Sequence, residues 1–242
     1  MVIEKQIFLN YFLEGTIEPL SVDSVAGNKT NLASKLAIDK LKTKFNLHGM
    51  TWSSVFNFIG IRTSDIITNL FDDWFVFTIG EELYALPATT KSGIPGIMKY
   101  YNRWSKGYRG FGTIQENQQI DYLLITPKKD AWSNWTGGCG FLYQVAKFNV
   151  YRDENIDNKI DKNNVMLSEG DGFNIHTWVN YISNKNYAKL LNTKSKSMGI
   201  TTPVANISEG CNCTTYDYWI WLFPILQKYS INSTVKYNLL QF

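Results

Sequence analysis

The sequence carries two histidines and three cysteines, which could supply a thiol nucleophile and its base. A cysteine nucleophile needs a base that takes its proton and donors that hold an oxyanion. Asn174-Ile175-His176 supplies an imidazole that titrates near neutrality, the one good candidate base. Ser208-Glu209-Gly210-Cys211 supplies a thiol behind a glycine, where backbone N–H groups stand clear of side chains. The distance between the two segments along the chain is no obstacle, because such pairs meet in space. The ordinary alternative is a buried cysteine packed as a small hydrophobe and a histidine held by a backbone carbonyl, which on composition alone is the commoner outcome. His48 falls at the end of a helical pattern, where the partial negative charge suits a cation, and reads as a cap.

Oxygen-bearing residues make a second constellation. Asp153-x-Asn155-x-Asp157-x-x-x-Asp161 matches positions 1, 3, 5 and 9 of a calcium loop. Asn158 stands where that loop has its glycine, and Asn164 where it has its bidentate Glu. The favoured reading is therefore a solvated turn, with a structural Ca²⁺ on these four residues as the minority reading and no required cofactor. Gly137-Gly138-Cys139-Gly140 lacks the Lys-Ser/Thr of a phosphate loop and reads as a turn between strands, with Cys139 a bystander.

Composition narrows the field. The chain has 242 residues, 44% hydrophobic and 19% charged, enough for one generous domain with a real core. Its net charge is +3 and the basic residues are scattered, only Arg62, Arg103, Arg109 and Arg152 being arginine, which disfavours a nucleic-acid partner. Three cysteines make no paired disulfide framework, and with two histidines a zinc site is weakly supported. No apolar run is long enough for a transmembrane helix. The N-terminus shows no signal-peptide pattern, so the expected place of synthesis is a cytoplasm. Asn-x-Ser/Thr triplets such as Asn134-Trp135-Thr136 then say nothing about glycosylation. Aromatics are abundant at 15%, and most are expected in the core.

The elements that must position these residues follow from periodicity. Residues 1–30 read as irregular or partly extended. Leu32, Leu36, Leu41 and Phe45 predict a helix over residues 30–45, capped by Thr30 or Asn31 and closed by Gly49. From Trp52 the texture is β. Strands are predicted at 55–59, 74–79, 83–86, 121–126, 140–144, 148–151 and 173–177, with a turn at Gly80. Pro87 to Gly96 reads as loop and residues 180–200 as a long solvated excursion. A helix is predicted over 215–229, capped by Thr214 or Thr215 and kinked or ended early by Pro224; 233–242 closes as a strand. Cys211 would then stand just before a helix N-terminus, where a thiol pKa is lowered.

Phe173-Asn174-Ile175-His176 followed by Ile207-Ser208-Glu209-Gly210-Cys211 resembles the His…Ser-x-Gly-Cys signature of the L,D-transpeptidase (YkuD-type) catalytic domain, and most closely its phage endolysin-like branch. Pro87-Ala-Thr-Thr-Lys-Ser-Gly93 and Val150-Tyr-Arg-Asp-Glu-Asn-Ile-Asp157 resemble further segments of that branch, in the same order. The likeness covers about residues 55–242, which defines a domain over 51–242 and leaves 1–50 as a segment of unassigned role. The resemblance implies a β-rich α+β fold with a helix after the cysteine. It implies Cys211 as nucleophile, His176 as base, Gly210 and the Cys211 N–H as the oxyanion site, Ser208 as the loop's orienting residue and Asn174 as support for the histidine. The sequence departs from the pattern at Glu209, an anion beside a thiol, which raises its pKa. It departs again at Asn212-Cys213, where the family usually has an Arg.

The function implied is a cysteine-dependent peptidoglycan hydrolase or acyl transferase of phage type, an endolysin or virion-associated lysin cleaving stem-peptide amide bonds through a thioester. Peptidoglycan, and virion proteins if the chain is packaged, would be its partners, and the bacterial cell wall its place of action. The departures motivate the competing expectation of an inactive virion structural or wall-binding protein that keeps the fold. An aromatic-rich carbohydrate-binding module would instead line a groove with exposed Trp.

Overall fold

The computed structural model describes residues 1–66, 70–91, 111–126, 140–153, 157, 159–168, 173–177 and 211–242. Expectations for 92–110, 127–139, 154–156, 178–210 and the other omitted positions, including the excursion at 180–200, lie outside the described residues.

Two helices open the chain, α1 (Val2–Phe12) and α2 (Asn28–Leu47). The strands follow in order: β1 (Phe56–Arg62), β2 (Asp73–Ile79), β3 (Glu82–Thr89), β4 (Phe111–Ile114), β5 (Gln118–Ile125) and β6 (Phe141–Gln144). After these come β7 (Asn149–Asp153), β8 (Val165–Leu167), β9 (Ile175–Thr177) and β10 (Asn212–Thr214). Helix α3 (Tyr216–Tyr229) and β11 (Thr234–Gln241) close the chain. Eight strands form a closed barrel in the order β1-β11-β5-β6-β9-β10-β3-β2, and β4-β7-β8 form a separate sheet. The architecture is α+β with a β-rich core.

Alternation along the strands splits their side chains into two clusters. One unites residues from strands all round the barrel, among them Phe58, Phe75, Leu86, Tyr122, Leu142, Ile175 and Tyr237, and is therefore the interior. Trp219, Leu222, Phe223 and Leu226 of α3 join that same cluster. Gly60 of β1 makes room for it: a Cβ there would lie 1.8 Å from the Tyr237 hydroxyl oxygen. The other cluster takes the alternate residues Ile59, Ile61, Trp74, Val76, Leu83 and Ala85, on the outer face, against Phe8, Leu9 and Phe12 of α1 and Ala37, Leu41 and Phe45 of α2. Residues 1–50 are thus the cover of the sheet's outer face. Among the described residues no helix is long and apolar enough to cross a membrane.

Several expectations are corrected. The N-terminus is helical, not irregular. Phe8, Leu9, Phe12 and Leu13 make its buried stripe, but apolar Ile3 and Tyr11 on the open side blur the contrast that periodicity detects. The α2 N-cap is Gly27, and Thr30 is buried inside the helix. At the other end His48 is the C-cap residue and Gly49 follows with φ +66°, the left-handed conformation that suits glycine. Pro87 lies inside β3, not in a loop. It sits where pairing with β10 has ended, so its missing N–H interrupts no bond on that side. Pro224 does not end α3, which runs on to Tyr229.

Candidate active site

β9 and β10 are parallel neighbours, in the register Asn212↔Ile175, Cys213↔His176 and Thr214↔Thr177. Ile175 belongs to the interior cluster, and Asn212 beside it donates from Nδ2 to the Tyr237 hydroxyl at 2.7 Å. His176 and Cys213 therefore lie side by side on the opposite, outer face. Across the other edge of β10, antiparallel β3 places Thr89 opposite Cys213. A row His176–Cys213–Thr89 thus crosses three strands.

Cys213 Sγ is 3.7 Å from His176 Nε2 and 3.8 Å from Nδ1. His176 Nδ1 is 2.6 Å from the Thr177 carbonyl oxygen. A carbonyl only accepts, so Nδ1 carries the proton and Nε2 keeps its lone pair. This is the tautomer in which Nε2 takes a proton from a thiol. The nearly equal sulfur distances place the sulfur well off the line of that lone pair, so the ring or the thiol must reorient before a proton can pass. His176 is fully buried, and burial holds its pKa down to about 4, the Thr177 bond opposing this only in part. At neutral pH the imidazole is therefore neutral. The same burial makes a thiolate–imidazolium pair unfavourable in this closed arrangement.

Cys211 lies one residue before β10 and is also buried. Its carbonyl oxygen is 3.8 Å from Cys213 Sγ. Its thiol is near enough to the interior Tyr122 to raise that phenol's pKa, after burial and Tyr237. The expected helix N-terminus next to Cys211 is corrected: β10 intervenes and α3 begins only at Tyr216. A helix dipole acts within its first turn and does not reach back over a strand to Cys211. Ser208, Glu209 and Gly210 lie outside the described residues. Asn174 accepts the Gln144 N–H on Oδ1 at 3.0 Å, and its backbone oxygen accepts the Asn212 N–H at 3.0 Å. It thus ties β6 to the start of β9 and β9 to β10, two residues from the imidazole.

Of the calcium-type residues, Asp157 Oδ1 accepts the Lys159 N–H at 2.9 Å and Asp161 Oδ1 the Asn163 N–H at 3.0 Å, both as local turns. Asn155 lies outside the described residues, and only the backbone of Asp153 is described. Among the described residues no group of three or more His, Cys, Asp or Glu is placed to hold a metal.

A buried charge network next to the row is not apparent from sequence. Asp73, fully buried at the start of β2, accepts on Oδ2 from Thr90 N (2.8 Å) and Thr90 Oγ1 (2.7 Å). On Oδ1 it accepts from Thr63 N (2.9 Å) and Thr63 Oγ1 (3.1 Å), with Lys91 Nζ at 3.3 Å. Lys91 Nζ also reaches Asp72 Oδ1 at 3.2 Å. Fully buried Arg62 donates to Thr90 Oγ1, the Thr90 and Ile114 carbonyls and Glu116. Lys162 joins Glu116 and Asp65 at 3.2 and 3.0 Å. Buried charges persist only when paired. The hint in the sequence is that Arg62 ends, Asp73 begins and Lys91 closely follows an otherwise apolar strand.

Comparison of the chain with protein-family models, curated proteins and solved structures finds no match.

Proposed function

We propose that the chain is a cysteine-dependent acyl-transfer enzyme acting on peptidoglycan stem peptides, a phage-type lysin built on an L,D-transpeptidase-like core. The observation that carries this reading is the contact of Cys213 Sγ with a neutral, Nδ1-protonated His176. The motif resemblance names Cys211; the contact favours Cys213 as nucleophile. In the proposed cycle Nε2 takes the thiol proton as sulfur attacks an amide carbonyl. The amide C–N bond breaks as His176 returns that proton to the leaving amine. Water or an amine then releases the thioester. Such a protein is made in the host cytoplasm and acts at the bacterial cell wall, or travels in a virion.

A second reading is favoured by one observation: His176 is completely buried and its pKa is held near 4, which suits an inactive wall-binding or virion structural protein that keeps the fold. One experiment separates the two. Purified peptidoglycan is digested with wild type, Cys211→Ala, Cys213→Ala and His176→Asn, with and without Ca²⁺, and fragments are read by mass spectrometry. The enzyme reading expects fragments from wild type and at least a hundredfold loss in Cys213→Ala and His176→Asn. Loss in Cys211→Ala alone returns the nucleophile to the motif cysteine. No fragments from folded wild type on several wall types, with calcium present, favours the structural reading.

A further inference from the structure

We propose that Asp73 is a positioning residue for the Cys213–His176 pair, acting through the Thr89–Lys91 end of β3; this rests on the thiol–imidazole reading above. β10 is only three residues long. It is held by β9 on one side and by two ladder pairs with β3 on the other, Cys213↔Thr89 and Thr214↔Ala88. The residues just beyond those pairs are Thr90 and Lys91. Asp73 is the group that holds both: it takes the Thr90 N–H, the Thr90 hydroxyl and the Lys91 ammonium, while Arg62 adds bonds to Thr90 and Asp72 pairs with Lys91.

Asp73 is itself pinned from β1's end by the Thr63 N–H and hydroxyl. Its strand is in register with β3, Asp73 facing Ala88, so the clamp and the ladder act on adjacent residues. Thr89 Oγ1 bonds within the same turn, 3.0 Å from the Lys91 carbonyl oxygen. The carboxylate therefore helps fix the end of β3, β3 with β9 fixes β10, and β10 sets the sulfur against the imidazole. Asp73 touches neither reacting atom and acts only through these strands.

The test is the chemical shift of the His176 Nε2 nitrogen at pH 7, which reads the neutral imidazole's contact with the sulfur and needs no reagent to reach the fully buried Cys213. It needs no wall substrate. Wild type, Cys213→Ala, Asp73→Asn, Thr90→Val and Leu41→Ala are compared, the last as a destabilised control in the outer cluster. Cys213→Ala measures how far the sulfur displaces that shift. Asp73→Asn is expected to reproduce at least half of that displacement. Leu41→Ala is expected to unfold earlier with the wild-type shift. If Asp73→Asn does not fold, Thr90→Val carries the test, since it removes one donor to Asp73 and leaves the backbone N–H.

A folded Asp73→Asn or Thr90→Val with the wild-type shift overturns the proposal while the Cys213 effect stands. No displacement in Cys213→Ala overturns both the pair and its positioning. A protein that cleaves no wall and still shows the coupled shifts retains the positioning and loses only the enzymatic reading.

Discussion

At the scale of the residue, the burial of His176 sets a pH response. Its ring is anchored by Thr177 and its pKa is held near 4 by burial, against 6.5 for a free imidazole. Between those values the unfolded chain binds a proton that the folded chain does not, so stability rises with pH across the window. The cost is fully present below about pH 4, where it amounts to about 3 kcal/mol, and is gone above about pH 6.5. Denaturant unfolding of wild type and His176→Asn at about pH 4.5 and about pH 7.5 checks this. Wild type is expected to lose more stability on acidification than the variant. Equal losses would assign the acid sensitivity to other groups.

At the scale of the element, α3 shows how packing overrides a local breaker. Pro224 is exposed in the helix interior, and its ring denies a hydrogen bond to the Ile220 carbonyl. The helix persists because Trp219, Leu222, Phe223 and Leu226 are buried in the barrel interior, and the Trp219 indole N–H donates to the Gly140 carbonyl at 3.2 Å. Pro224→Ala restores the bond and relaxes the clash, while the more flexible unfolded chain takes back part of the gain. A net stabilisation of about 1–2 kcal/mol is expected, read as a rise in Tm of about 3 °C or more. A fall in Tm would mean that the proline's bend is what seats the apolar face. β10 is the opposite case: three residues with little local preference become a strand because β9 and β3 are there to receive them.

At the scale of the whole molecule, the barrel is covered on one outer face by α1 and α2. Trp74 packs edge-on to Phe8, and Phe45 edge-on to Trp52. Lys40 Nζ donates to the Phe12 carbonyl at 2.8 Å, tying the two helices together. Tyr218 of α3 donates to Glu4 of α1 at 2.9 Å, so the cover is also bonded to the helix whose apolar face joins the interior cluster. A fragment of residues 51–242 would expose Ile59, Ile61, Trp74, Val76 and Leu83 together, a patch of the kind that drives aggregation. The expected outcome is a fragment that is insoluble, or soluble with strong ANS binding and no cooperative transition. A soluble fragment with a sharp transition would make 1–50 a dispensable appendage.

Much of the strand set is legible in the sequence itself. The runs at 56–61, 74–79 and 234–240 are rich in β-branched and aromatic residues, and such residues favour a pleated, half-buried surface wherever it forms. α2 is legible as a helix from the spacing of Leu32, Leu36, Leu41 and Phe45, but of these only Leu41 and Phe45 are buried, and Ala33, Ala37 and Ile38 complete the covered face. α1 is not, because its exposed side is apolar too. At the candidate site, local chemistry points to His176 and to Cys211, whereas the thiol in contact with the imidazole is Cys213. Which thiol meets the imidazole is decided by the register of β9 on β10, a pairing of distant segments that no local pattern encodes. The Asp73–Lys91–Arg62 network is likewise decided by tertiary structure. Charges in an apolar context announce only that partners must exist, and the barrel's closure is what brings those partners within bonding distance.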